Sequence, residues 1–176
     1  MKPILYALSV ETFLNVLGSL TAILDKAAQH AEAKKFDPAV LVNARLAPDM
    51  FGLAQQVQIA CDHAKGAAAR LSGQVPPSFE DNEKTLDELK ARIAKTVDYI
   101  KSVPASAFEG AEGRRIEMDM RNGMSLSADG LQFLRDWSLP NFYFHVVTAY
   151  DILRHNGVEV GKRDYMGFAM GIIRQK

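Results

Sequence analysis

The stretch SLPNFYFHVVTAYDILRHNG, residues 138–157, shows the pattern that decides the fold. Its apolar residues recur at intervals of three and four, which places them on one face of an amphipathic helix. Pro140 suits the first turn of this helix, and Asn156-Gly157 suits its end. Because such a helix has to bury its apolar face, the pattern predicts that other helices pack against it.

Three upstream segments repeat the pattern and predict three more long helices. The first runs from about Val10 to Lys34, and the second from Pro48 to a glycine stop at Gly73. The third is predicted to begin at a capping box, Ser78–Asp81, and to end near Ser102, just before Pro104. Four amphipathic helices of this length in one chain are typical of an antiparallel four-helix bundle.

Between the third and fourth helices the apolar period changes to two, which is typical of a β-strand. Asn122-Gly123, in the middle of this segment, is the favoured pair for a type I′ turn. The sequence therefore predicts a small β-hairpin, which needs support from the helices or from another chain. The alternating apolar residues are Ile116, Met118, Met120, Met124 and Leu126.

The remaining segments are short and are predicted to complete one domain over residues 1–176. A short helix over residues 39–44 follows the pair Asp37-Pro38, and a helical turn over 131–137 precedes Pro140. The tail after Gly157 is expected to dock onto the bundle or onto a partner subunit. We thus predict an all-α fold, an antiparallel four-helix bundle with a hairpin between helices three and four. The large apolar residues of the tail are Tyr165, Met166, Phe168, Met170, Ile172 and Ile173.

The composition excludes several classes of function. The chain has 176 residues with 21 basic and 21 acidic side chains, so it lacks the positive excess of a nucleic-acid-binding protein. No uncharged apolar run reaches the roughly 18 residues that would predict a membrane span. The one cysteine, Cys61, excludes an intramolecular disulfide and a cysteine zinc cluster, and it fits a reducing cytoplasm.

The histidines are the strongest candidates for a site. His145 lies roughly 60° from the centre of the apolar face of the fourth helix, with Asn141 and Thr148 beside it. It either lines a pocket or a dimer seam, together with these residues and the rings of Phe142, Tyr143 and Phe144, or is a core histidine whose nitrogens are satisfied by neighbours.

A second histidine, His63, lies roughly 110° off the apolar stripe of the second helix. No two histidines are spaced three or four apart, so a metal site would have to be assembled between helices. The sequence has no glycine-rich phosphate loop, no GxSxG elbow and no HExxH motif.

Two long stretches, APDMFGLAQQVQIACDHAKGAAARLSG and LPNFYFHVVTAYDILRHNGVEVGKRDYMG, together resemble a known family. It is a bacterial family of unknown function, grouped with the DinB/YfiT-like four-helix bundles. The resemblance implies a DinB-like bundle that is commonly a homodimer.

The same resemblance implies a possible metal site. Many members of the wider superfamily bind a divalent metal, such as zinc or nickel, through one histidine of helix two and two of helix four. These positions fall on His63, Asn141 and His145, so one of the three is an asparagine here. Two functions remain open: a bundle that binds a small molecule or a partner without a complete metal triad, and a metal-dependent enzyme of the thiol transferase or hydrolase type.

Overall fold

The computed structural model describes residues 2–120 and 123–174, and this part of the chain is mostly helical. The first helix is continuous from Ile4 to Lys34, with a π turn at Ala7–Glu11. It therefore begins earlier than the predicted start at Val10. The helices before the hairpin are α1 (Ile4–Lys34), α2 (Ala39–Asn43), α3 (Leu53–Leu71) and α4 (Leu86–Ser102).

Two predicted helix starts are wrong because other residues cap the helices. Helix α3 begins at Leu53 rather than at Pro48. At this start, the Gln55 side chain accepts a 3.4 Å hydrogen bond from the N–H of Gly52. Helix α4 begins after Thr85 rather than at the Ser78–Asp81 pattern. There the Thr85 hydroxyl accepts from the N–H of Glu88 and the Glu88 carboxylate accepts from the N–H of Thr85, at 3.2 and 3.0 Å.

The predicted hairpin is confirmed. Strand β1 (Ile116–Asp119) pairs with β2 (Ser125–Ala128) in antiparallel register, with Ile116 opposite Ala128. Both of these residues are buried in the core, so the hairpin lies on the helices. The predicted Asn122-Gly123 turn lies partly outside the described residues. Gly123 has a φ of 77°, and its N–H donates to the carbonyl of Met120 at 3.1 Å. This bond places Gly123 at the fourth position of a turn that begins at Met120, not at the centre of the predicted type I′ turn.

After the hairpin, α5 runs without interruption over residues 130–155. A π segment, Phe133–Ser138, separates its first turn, Gly130–Gln132, from the regular helix Leu139–His155. Pro140 therefore lies in the first turn of the regular helix, as predicted, but the π segment and the turn before it extend the helix back to Gly130. Proline lacks an N–H and crowds the preceding turn of a regular α-helix, and the wider π segment directly before Pro140 relieves that conflict.

Helices α1, α3, α4 and α5 form the body of the fold, and each packs against at least two of the others. The rings of Phe13 and Phe142 meet edge to face in the core, with centroids 4.8 Å apart. By length and composition α1 could cross a membrane, but half of its most apolar 18-residue window is buried inside the fold. A core helix of a water-soluble protein has the same property.

The tail docks on α1. It contains a short helix, α6 (Lys162–Tyr165), and a 3-10 helix, Gly167–Ile172, and both contact α1. The ring of Tyr165 meets that of Tyr150 at 6.4 Å, and Asp164 pairs with Lys26 at 2.7 Å. Part of the apolar surface predicted to dock remains exposed, on Phe168, Met170, Ile172 and Ile173.

Candidate functional site

The structure brings His63 of α3 and His145 of α5 together. Their rings stack with centroids 6.0 Å apart and planes 17° from parallel. The wheel geometry placed His63 away from the core stripe, but α3 packs against both α4 and α5, so its contact surface extends beyond that stripe. The two helices thus bring together two histidines that lie far apart in sequence.

The orientation of His145 is set by Gln56, a residue that the sequence analysis missed. Nδ1 of His145 lies 2.7 Å from Oε1 of Gln56, and Nε2 of Gln56 donates to the carbonyl of Phe51 at 3.1 Å. Because the amide oxygen can only accept, Nδ1 of His145 carries the hydrogen and Nε2 keeps its lone pair. One signal could have found Gln56: it lies two helical turns before His63, on the same face of α3.

Burial keeps both imidazoles neutral near pH 7. It lowers the pKa of His63 to about 4, helped by the neighbouring His145 and opposed by Asp62. Burial also lowers the pKa of His145. Among the described residues, neither ring nitrogen of His63 has a hydrogen-bond partner, so His63 can both donate and accept toward a bound molecule.

A cleft of about 250 Å³ opens beside His63. Trp137 forms part of its wall, with its ring centroid 6.3 Å from that of His63. The π segment of α5 places Trp137 and Phe133 at the cleft, and π segments in helices are frequent at functional sites. The other lining residues come from α3, the following loop and the hairpin: Asp62, Lys65, Gly66, Ala67, Arg70, Pro76 and Met118.

Arg70 supplies a cation to this cleft. Its Nη1 donates to the carbonyl of Gly66 at 3.2 Å, and no carboxylate pairs with it among the described residues. A Cβ on Gly66 would lie 2.7 Å from Nη1, so the glycine makes room for the folded-back guanidinium. Burial lowers the pKa of Arg70, because a charge in a partly dry site loses solvation.

The pocket residues predicted on α5 differ in burial and in their hydrogen-bond partners. The side chains of Asn141 and Thr148 donate to carbonyls of their own helix, those of Trp137 and Phe144, both at 2.7 Å. Phe142 is buried in the core, whereas Tyr143 is 37% exposed. As a ligand-binding set, these residues and His145 remain a prediction.

The donor set does not fit a three-histidine metal site. Among the described residues, no group of three His, Cys, Asp or Glu side chains could hold a metal ion. The side chains of His63 and His145 offer two imidazoles, and the amide nitrogen of Asn141 is engaged with its own helix. A catalytic zinc site of the usual kind needs three protein ligands.

These features define a helical bundle with a histidine-lined cleft between two of its long helices. Residues 5–166 match a family described as a domain of unknown function, DUF1993, and the chain belongs to that family. The chain is also similar to a solved structure, the crystal structure of a DinB family member protein from Shewanella denitrificans. The two are 47% identical over 93% of this chain and 92% of that chain, with a TM-score of 0.86. No curated protein matches the sequence significantly. The predicted resemblance to a DinB-like family of unknown function is confirmed.

Proposed function

We propose that this protein is an antiparallel four-helix bundle of the DinB type that binds a small molecule, without a complete metal triad. The observation that carries the proposal is the cleft of about 250 Å³ next to His63. Ligand sites are mostly apolar spaces with a few well-placed polar groups. Here Phe133, Trp137 and Met118 supply apolar surface, and His63 and Arg70 supply hydrogen-bonding groups that the fold leaves available.

Trp137 allows a direct test, because it is the single tryptophan of the chain and it lines the cleft. A library of small water-soluble compounds is screened for changes in tryptophan fluorescence, and each hit is confirmed by calorimetry. We expect hits whose binding is weakened at least about tenfold in His63→Ala, which corresponds to the loss of one good hydrogen bond. The matched control is His155→Ala, at the exposed end of α5. Hits that bind both variants as tightly as the wild type would contradict the proposed site.

A second candidate function is a metal-dependent one at His63 and His145. It is favoured by the stacked pair of neutral imidazoles and by Gln56, which leaves the Nε2 lone pair of His145 free to bind a metal. Metal content is measured on protein purified without a polyhistidine tag. About one equivalent of zinc or nickel, lost in His145→Ala, would favour this function. Protein that stays metal-free in excess zinc and nickel would contradict it.

We also propose that the protein is a homodimer of the cytoplasm. The family resemblance and the exposed apolar side chains of Phe144 and Val147, one turn apart on α5, support the dimer. The single buried cysteine, Cys61, fits a reducing compartment. Light scattering that gives the monomer mass at high concentration would contradict the dimer.

A further inference from the structure

The charges around the cleft are unevenly matched. Lys65 pairs with Asp62 at 2.8 Å, and Asp62 also pairs with Arg92 of α4 at 2.9 Å. Arg70 is the charged lining residue that has no oppositely charged partner among the described residues. The cleft therefore carries one uncompensated positive charge, beside the neutral ring of His63.

The donors of Arg70 are only partly used. A guanidinium has five N–H donors in a planar fork, and the single hydrogen bond from Nη1 to the Gly66 carbonyl leaves most of that fork available. A planar fork matches the two oxygens of a carboxylate, which can accept two parallel hydrogen bonds from it. Burial also depresses the pKa of Arg70, so an anion held against it would replace the solvation that the guanidinium has lost.

The other walls distinguish an organic anion from an inorganic one. Trp137, Phe133 and Met118 offer apolar and aromatic surface to the same space. That surface would gain nothing from inorganic phosphate, which has no apolar body to bury against it. A monoanion with an apolar body matches both the single positive charge of Arg70 and the apolar walls of the cleft.

We propose that the ligand of this cleft is a small organic carboxylate, held by its oxygens at Arg70 and His63 and by its apolar body against Trp137. This inference rests on the proposed small-molecule site and names the chemical class of its ligand. The volume of about 250 Å³ limits that ligand to the size of a single aromatic ring with short substituents.

Benzoate and benzamide provide a matched pair of probes, because they have nearly the same shape and differ in charge. Binding is measured by calorimetry and by the fluorescence of Trp137, on the wild type, Arg70→Gln, Arg70→Lys and the surface control Arg154→Gln. We expect benzoate to bind at least about tenfold more tightly than benzamide, because it makes charge-assisted hydrogen bonds. That preference should disappear in Arg70→Gln, weaken in Arg70→Lys, which keeps the charge but loses the fork, and persist in Arg154→Gln.

Three results would overturn the inference. Equal affinity for benzoate and benzamide, unchanged in Arg70→Gln, overturns the carboxylate class but leaves a small-molecule site standing. Phosphate that binds more tightly than benzoate assigns the cleft to inorganic anions instead. If neither aromatic probe binds, the carboxylate is overturned, and the compound screen with His63→Ala then decides separately whether the cleft binds a small molecule.

Discussion

Two arginines, Arg70 of α3 and Arg92 of α4, differ in how completely carboxylates match their charges. Arg92, 3% exposed, pairs with Asp62, Asp81 and Glu83 at 2.9, 3.0 and 3.1 Å. For Arg70, at the cleft, the carbonyl of Gly66 is the only hydrogen-bond acceptor among the described residues. A buried cation whose carboxylates come from the protein holds the fold together, whereas one without a carboxylate leaves room for a ligand to supply it.

Arg92 and its carboxylates Asp62, Asp81 and Glu83 fasten the connection between α3 and α4, and we refer to these four residues as the clasp. Besides its carboxylate partners, Arg92 donates to the carbonyl of Glu80 at 2.7 Å, so it holds residues 80–83 against both helices. Phe79 covers the clasp, with the charged ends of Lys65, Arg92 and Lys95 within 5.2 Å of its ring centroid. The following predictions test the contrast between this clasp and the cleft, from the largest effect to the smallest.

Removing the Arg92 charge should have the largest effect on stability. In Arg92→Met the side chain keeps its length, but three neighbouring carboxylates lose the Arg92 cation, and of these Asp62 still pairs with Lys65. We expect the free energy of unfolding in urea to fall by about 3 kcal/mol, at the lower end for a broken buried pair because two of the carboxylates are half-exposed. The control Arg154→Met, on the surface, should change it by less than about 0.5 kcal/mol. Equal effects in the two variants would show that the clasp is not what stabilises this region.

Removing His145 should cost about 2 kcal/mol of stability, because Oε1 of the buried Gln56 loses its hydrogen-bond donor in His145→Ala. Urea unfolding measures the change, with His155→Ala as the control. A loss below about 0.5 kcal/mol would mean that water replaces the imidazole and that the contact contributes little. The same variant shows whether any bound metal depends on His145.

Acid should destabilise the protein through His63. Its folded pKa, about 4, is below its usual value of 6.5, so between these values the unfolded chain binds a proton that the folded chain does not. The contribution of neutral His63 to the free energy of unfolding is therefore fully present above the unfolded pKa of 6.5 and is lost as the pH falls toward 4. We expect a loss of between about 1 and 2 kcal/mol from pH 7 to pH 5. In His63→Gln, which cannot titrate, most of this pH dependence should vanish; an unchanged slope would assign it to other groups.

The smallest effect is expected at Gly66, and it separates stability from binding. Gly66→Ala should raise the free energy of unfolding by up to about 1 kcal/mol, because alanine is the better helix former. The new Cβ should at the same time displace the Arg70 guanidinium and weaken benzoate binding. Gly18→Ala is the matched control: its Cβ meets nothing within 4 Å, so it should stabilise α1 without any effect on binding. Equal benzoate affinity in both variants would show that the position of Arg70 does not matter.

The errors in the predicted helix starts have a common physical origin. Ser78–Asp81 and Thr85–Glu88 are both capping-box patterns, seven residues apart, and local capping energies alone do not separate them. The structure uses Thr85, because Arg92 holds Asp81 and Glu83 in an extended connection and so keeps residues 78–81 out of a helix. Pro140 is a related case: it lies in the first turn of the regular helix, as the local rule predicts, but the π segment before it extends the helix further toward the N-terminus.

The sequence found the two histidines of the site but not how they meet. Their residue types and helices were predictable, since the periodicity of α3 and α5 is strong. Gln56, Arg70 and Trp137 were not identified as partners, because a helical wheel describes one helix and each of these contacts depends on which neighbour that helix meets.

The sequence by itself determined the kind of the main elements, helices with a small hairpin, because apolar periods of 3.6 and 2 are local properties of the chain. It also determined the family resemblance, through two motifs in α3 and α5. Only the tertiary structure decided which polar groups are matched. The carboxylates that satisfy Arg92 and the open space beside Arg70 arise where helices, connection and hairpin converge, and residues distant in sequence determine that arrangement together.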